Sequence, residues 1–227
     1  MVVRLRIIIR FIMSINYLKP LFGILLFLSA SGCSVDDIVV PDSERVVPED
    51  YLAFAEEEKE WIFAGEEGYG NKPIELYRYR IMGDTVVRSR LYKKMYEHKA
   101  ADAAGQFHYI GAVRDTLMKV VFVDAGKRTE RLIYDFGLKD WNQMRWYGYT
   151  LIAGDAYRKV VHGTTRNVLP VRSSNNAFYD IWIEGIGCAA GGSLSFDPIM
   201  KRRCVLMRCA KADGCCYDYE TDNELYE

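Results

Sequence analysis

Glu75-Leu76-Tyr77-Arg78-Tyr79-Arg80-Ile81 alternates, with Tyr77, Tyr79 and Ile81 on one face and Arg78 and Arg80 on the other. Only an extended chain sends successive side chains to opposite faces, so this stretch reads as a strand with one side in a core and the other in water. Gly83-Asp84 follows and reads as a tight turn into Thr85-Val86-Val87. Residues 91–96 read as the next strand. Residues 107–114, 119–124 and 129–136 read as a meander, with turns near Asp115 and at Ala125-Gly126. Further strands are expected at 149–153, 157–162, 167–172, 178–184 and 203–210. The last of these pairs with 215–219 through Lys211-Ala212-Asp213-Gly214. No stretch past residue 60 has a long helical period. The expected fold is therefore all-β, an antiparallel meander forming a barrel or sandwich.

The chain has 227 residues, 50% of them hydrophobic and 13% aromatic, which suffices for one domain with its own core. The net charge of −1 conceals an asymmetry. Residues 1–33 hold Arg4, Arg6, Arg10 and Lys19 and no acid, leaving 26 basic against 31 acidic residues in the rest, a net of −5. An acidic body lacks the basic face that phosphate backbones require, so no nucleic acid partner is expected.

The amino terminus has the layout of a secretory signal over residues 1–32. A basic n-region precedes the apolar run Leu21-Phe22-Gly23-Ile24-Leu25-Leu26-Phe27-Leu28, and small residues Ser29 to Gly32 lead to Cys33. The run is shorter than the ~20 residues a bilayer core demands. Met13 starts a more ordinary signal than Met1 does. Ala30-Ser31-Gly32-Cys33 resembles a lipobox, which implies a diacylglyceryl group on Cys33 and anchorage to the membrane through it. Ser34-Val35-Asp36-Asp37 resembles the acidic export signal of Bacteroidetes surface lipoproteins. The expected address is the outer membrane, on the cell surface or on the periplasmic face. Residues 33–58, with Pro41 and Pro48 and mostly acidic charge, are expected to form a flexible tether. Pro48-Glu49-Asp50 has the composition of a short helix start. The β domain is then expected over 59–220 and an acidic tail over 221–227.

Trp61-Ile62, Gly83-Asp84-Thr85-Val86, Leu91-Tyr92-Lys93-Lys94, Tyr109-Ile110-Gly111-Ala112-Val113-Arg114, Leu132-Ile133-Tyr134-Asp135-Phe136 and Trp182-Ile183-Glu184-Gly185-Ile186-Gly187 occur in that order. Over most of residues 58–220 they resemble the single-domain lipoproteins common in Bacteroidetes, the last segment being the most specific. The resemblance implies a fold and an address but no activity.

Gly185-Ile186-Gly187-Cys188-Ala189-Ala190 matches a dinucleotide pattern, yet Gly191-Gly192-Ser193 and Asp197-Pro198 follow where a helix is needed. It reads as a glycine-rich turn, with no nucleotide and no cofactor expected. Beyond Cys33 stand Cys188, Cys204, Cys209, Cys215 and Cys216, candidates for disulfides in an oxidising compartment. Cys209 and Cys216 lie on opposite arms of the last hairpin, and Cys188 is a candidate partner for Cys204 or Cys209. Five is odd, so at least one thiol stays free or pairs with another chain. The spacing lacks that of a zinc finger, and no metal is expected. His98, His108 and His162 form no ligand or nucleophile motif. Trp141, Trp146, Tyr147 and Tyr149, interleaved with Asp140, Asn142, Gln143 and Arg145, fit either a plug of packed rings or a sugar-binding surface. Asp84-Thr85-Val86 and Asp115-Thr116-Leu117 resemble the Asp-Thr-aliphatic acceptor of Bacteroidetes O-glycosylation, which implies modification at Thr85 and Thr116. The leading expectation is a noncatalytic module binding a glycan, a peptide or a partner protein. The alternatives are a structural envelope component, met through Cys215 or Cys216, and an unrecognised hydrolase.

Overall fold

The computed structural model describes residues 47–67, 74–99, 105–139, 141–146, 149–176, 179–189 and 202–222, all within the unit Val39–Glu227. The signal segment, Cys33, Tyr147 and residues 223–227 lie outside the described residues. Fourteen described strands form two antiparallel sheets. The larger sheet orders its strands β14 (Gly214–Asp218), β13 (Arg202–Lys211), β1 (Glu60–Glu67), β2 (Ile74–Val87), β3 (Arg90–Lys99), β4 (His108–Thr116), β5 (Lys119–Asp124) and β6 (Glu130–Asp135). The smaller orders β12 (Gly187–Cys188), β11 (Tyr179–Ile183), β10 (Thr164–Ser173), β8 (Tyr149–Ala153) and β7 (Gln143–Trp146), with β9 (Tyr157–Val161) also paired to β10. One helical turn, α1 (Tyr219–Asp222), takes in the first two residues of the expected tail. The all-β antiparallel fold is a half-barrel or sandwich.

The alternation of β2 sets its orientation. Tyr77, Tyr79 and Ile81 are buried, while Arg78 is exposed and Arg80 half-buried. Register then extends the inward row, because Trp61 opposes Tyr79 on one side and Cys209 on the other, and Cys209 opposes Tyr217. All four are buried in a single cluster with Leu151, Val168, Val171, Ile181 and Trp182 of the smaller sheet. Tyr134 and Trp182 meet edge to face across the sheets, with ring centroids 5.2 Å apart. Such pairs add about 1 kcal/mol beyond the area they bury.

Two expectations are corrected. Gly83-Asp84 is no hairpin turn: β2 runs on to Val87, and the register with β3 shifts between Ile81 and Asp84. Gly83, at φ +75°, makes a bulge, and the chain reverses at Arg88 and Ser89, which adopt φ +48° and +63°. Pro48 to Tyr51 makes a single turn, the Tyr51 amide donating to the Pro48 carbonyl at 3.1 Å, and opens no helix.

Residues 51–58, grouped with the tether by composition, are packed against the sheets. Phe54 is fully buried and stacks on Trp61 at 4.9 Å. This strap is held from both sides. Asp115 of β4 accepts hydrogen bonds from the Phe54 amide (3.1 Å), the Ala55 amide (2.7 Å) and the Tyr51 hydroxyl (2.9 Å). Glu184, which follows β11, accepts the Leu52 amide at 3.0 Å. Burial and the neighbouring Asp115 carboxylate hold the Tyr51 phenol far above its ordinary value.

The turn Glu184-Gly185-Ile186 lies against the strap and requires its glycines. A Cβ on Gly187, at φ +99°, would sit 2.9 Å from the Phe54 ring and 3.0 Å from that of Tyr134. Gly187→Ala combines backbone strain with overpacking and is expected to cost about 2–4 kcal/mol, read as a drop in urea midpoint at unchanged slope. An unchanged midpoint would show that the turn does not close on those rings.

Candidate functional site

The aromatic stretch 141–149 is not one cluster. Gln143 to Trp146 alternates as β7, exposed and buried in turn. Trp146 therefore points into the core, 3% exposed, where its indole N–H donates to the Ile133 carbonyl at 3.2 Å. Tyr149 opposes Trp146 across the hairpin and is half-buried. Among the described members of the set, Trp141 is the exposed one, at 63%. Its backbone sits at φ +65°, an uncommon conformation for a bulky residue, fixed by its amide donating to the Ala153 carbonyl at 2.9 Å. Strain of this kind persists only where the surroundings impose it, and it gathers at functional positions.

Pairing brings further exposed side chains alongside. Gln143, Ile152, Arg172 and Tyr179 stand in register across β7, β8, β10 and β11, on the face opposite the buried Leu151, Ala153 and Val171. Tyr179 is 58% exposed and Tyr157, at the start of β9, is 40% exposed. Tyr179 also contributes to raising the Tyr157 phenol above its ordinary value, after partial burial, so the two rings are within electrostatic reach. Gly154 lies between Trp141 and β10, its amide donating to the Pro170 carbonyl at 2.8 Å. Arg172 donates to the Asn176 side chain at 2.8 Å, holding both polar groups near Tyr179. The outer side of the smaller sheet thus combines aromatic faces with an amide and a guanidinium. Tyr157 and Tyr179 were invisible as a pair in sequence, because 22 positions and a whole strand separate them.

The larger sheet's outer side carries a second polar centre. A groove of about 540 Å³ is lined by Arg90, Arg114, Thr116, Lys119, Val121, Glu130 and Leu132. Glu130 accepts hydrogen bonds from the Tyr92 hydroxyl, Arg90 and Arg114, and Arg114 also covers the Tyr92 ring at 5.3 Å. Despite some burial, these donors hold the Glu130 carboxyl below its usual range. Thr116 lies at this groove, whereas Asp115 beside it is already engaged by the strap. Thr85 lies within β2 opposite Tyr92, and Asp84 pairs with Lys93 at 2.7 Å.

Among the described residues, Cys209, Cys215 and Cys216 are not joined in a disulfide. Cys188 lies in β12, and Cys204 stands in β13 opposite Gly65. Cys215 is half-buried, its thiol donating to the Tyr217 carbonyl at 3.1 Å. Cys209 and Cys216 stand on the two arms of the last hairpin, close enough for each to shift the other's acidity. His98 and His108 lie on adjacent strands, His108 opposing Glu97. Among the described residues, no group of three or more His, Cys, Asp or Glu side chains is placed to hold a metal ion.

Lys59 anchors the turn. Its ammonium, 1% exposed, donates to the carbonyls of Ala53 (2.8 Å), Gly185 (2.9 Å) and Phe54 (3.3 Å) and pairs with Glu56. Arg166 donates to the Glu184 carbonyl at 2.9 Å, and the Trp61 indole to the Ile186 carbonyl at 2.8 Å. This arrangement ties the turn to the strap and to β1.

No family model matches the chain, and no curated protein does. A solved structure from Parabacteroides distasonis, provisionally described as a lipoprotein, is 10% identical and covers 71% of this chain and 100% of that one, with a TM-score of 0.33. At that distance it defines neither fold nor activity here.

Lys59→Met removes a buried donor and leaves three carbonyls facing an apolar stem. A loss of about 3 kcal/mol is expected, together with faster amide exchange across residues 51–58. Unchanged exchange there would count against Lys59 as the tie of the strap.

Proposed function

We propose that this chain is a lipid-anchored envelope protein whose β body is a noncatalytic module binding a glycan on the outer side of the smaller sheet. The observation that carries the reading is the Trp141 ring, held exposed at a backbone conformation that costs about 1 kcal/mol or more for a residue with a side chain, beside a sheet face that also exposes Tyr157 and Tyr179. A sugar ring is apolar on its faces and hydroxylated at its rim. Flat aromatic rings take the faces, and Gln143, Arg172 and Asn176 supply donors and acceptors for the rim. Grouped exposed aromatics on a folded domain mark interaction surfaces.

The anchoring part of the proposal rests on the signal layout and on the lipobox at Cys33. Among the described residues no helix is long and apolar enough to cross a membrane. A diacylated cysteine supplies two acyl chains, the number stable anchoring takes. The acidic residues after Cys33 favour the surface-facing leaflet.

Trp141→Gly is expected to leave stability unchanged or raised by about 1 kcal/mol, since glycine adopts this φ freely. The same change should weaken glycan binding about tenfold, equivalent to ~1.4 kcal/mol. Trp146→Ala should instead destabilise the fold by about 3–5 kcal/mol. Thermal melts and calorimetric titration with capsular and host oligosaccharides separate these outcomes. Equal affinity in the wild type and a Trp141→Gly/Tyr179→Ala double variant would refute the platform. For the anchor, Cys33→Ser should abolish palmitate labelling and move the protein from the detergent phase to the aqueous phase on Triton X-114 partition; retained labelling would exclude Cys33.

A further inference from the structure

The last hairpin places two buried thiols on its facing arms, and the glycan platform uses neither. β13 and β14 pair with Cys209 opposite Tyr217 and Ala210 opposite Cys215, so Cys216 is the extra residue of a bulge. A bulge re-aims a side chain that strict alternation would send the other way. Here it turns Cys216 inward beside Tyr217, 5% exposed, while the preceding Cys215 stays half-buried. Cys209 is fully buried on the facing arm, beside the bulge that carries Cys216. The Cys215 thiol is directed to backbone carbonyls, those of Cys209 at 3.4 Å and Tyr217 at 3.1 Å.

Charge around the pair is one-sided. Lys59 acts on both sulfurs from the strap and Arg166 from β10, and Lys211 of β13 acts on Cys216. Glu56, paired with Lys59 and Lys211, is the acid in this group. Cys209 and these cations bring the Cys216 thiol down to about 6, against its partial burial. Burial and the neighbouring Cys216 push Cys209 well up. The charge environment thus favours the thiolate on Cys216 and the protonated thiol on Cys209, both within the buried hairpin. An attacking and a resolving cysteine have this division of roles.

We propose that Cys216 and Cys209 form a thiol–disulfide pair, with Cys216 attacking a disulfide-bearing oxidant and Cys209 resolving the adduct. Cys216 Sγ⁻ forms a bond to one oxidant sulfur as the oxidant's S–S bond breaks, and the other sulfur leaves as a thiolate. Cys209 then loses its proton and attacks Cys216 Sγ, the mixed disulfide breaks, and the second oxidant sulfur leaves. The two protein thiols lose two electrons and two protons, and the oxidant disulfide becomes two thiols. The chemistry does not depend on glycan binding. Its link to the proposed address is that an exported chain meets disulfide oxidants.

The test titrates the reduced full chain with oxidised glutathione, then alkylates, digests and maps each cysteine by mass. The expected product is a peptide pair linked through Cys209 and Cys216, with Cys215→Ser giving the same product. Cys209→Ala should trap a glutathione adduct on Cys216 and move the pH midpoint of Cys216 alkylation upward from about 6. Should either variant fail to fold, the wild-type map decides alone. A stable glutathione adduct on wild-type Cys216 with Cys209 still alkylatable, or a link from Cys209 to any other cysteine, overturns the proposal.

Discussion

The fold depends on a buried ammonium. Lys59 has almost no contact with water, and an unpaired charge in such a place would cost many kcal/mol. It is stable there because Ala53, Phe54 and Gly185 turn their carbonyls toward it and Glu56 balances its charge. Those partners come from two chain segments far apart in sequence, the strap and the turn after β11. Satisfying the one cation therefore fixes both, and with them Phe54 on Trp61 and the glycines that admit Phe54 and Leu52. The ammonium also lies close enough to Cys209 and Cys216 to act on both sulfurs. Fold closure and thiol chemistry share one charge.

The outer face follows from the same alternation that builds the core. Each strand of the smaller sheet that sends Leu151, Ala153 or Val171 inward must send Ile152 or Arg172 outward, and register lines these up with Gln143 and Tyr179. Trp141 stands outside that rule. It precedes β7 at a positive φ, so its exposure is set by the local turn and not by the pleat.

Strand positions were legible where apolar and polar residues alternate, as in 75–81, because a period of two has one structural solution, and where short β-branched or aromatic runs lie between turn residues, as in 119–124 and 149–153. Gly83-Asp84 misled because a glycine at positive φ serves a bulge as well as a turn, and only pairing with β3 distinguishes them. Residues 51–58 misled because composition weighs their acids equally, whereas Phe54 alone buries enough to order the segment once Asp115 and Glu184 accept its neighbours' amides. Trp146 and Trp141 look alike in sequence, but Trp146 takes the inward side of β7 whereas Trp141 precedes the strand and is placed by its positive φ. That Cys209 and Cys216 lie on opposite arms of one hairpin was readable from the sequence, but the bulge that turns Cys216 inward was not.

The strap also decides how the domain meets force. The chain enters the domain through residues 50–55, and tension arriving from the amino-terminal side reaches Arg158 of β9, Asp115 of β4 and Glu184 after β11 before it reaches β1. Those contacts stretch together, and Lys59 couples them to the turn at Gly185. A pull therefore tends to draw the two sheets onto a common anchor point instead of peeling β1 from its neighbours one hydrogen bond at a time. A domain tethered at its amino terminus and held elsewhere by a ligand would resist extraction in shear, through a segment that contributes no strand at all.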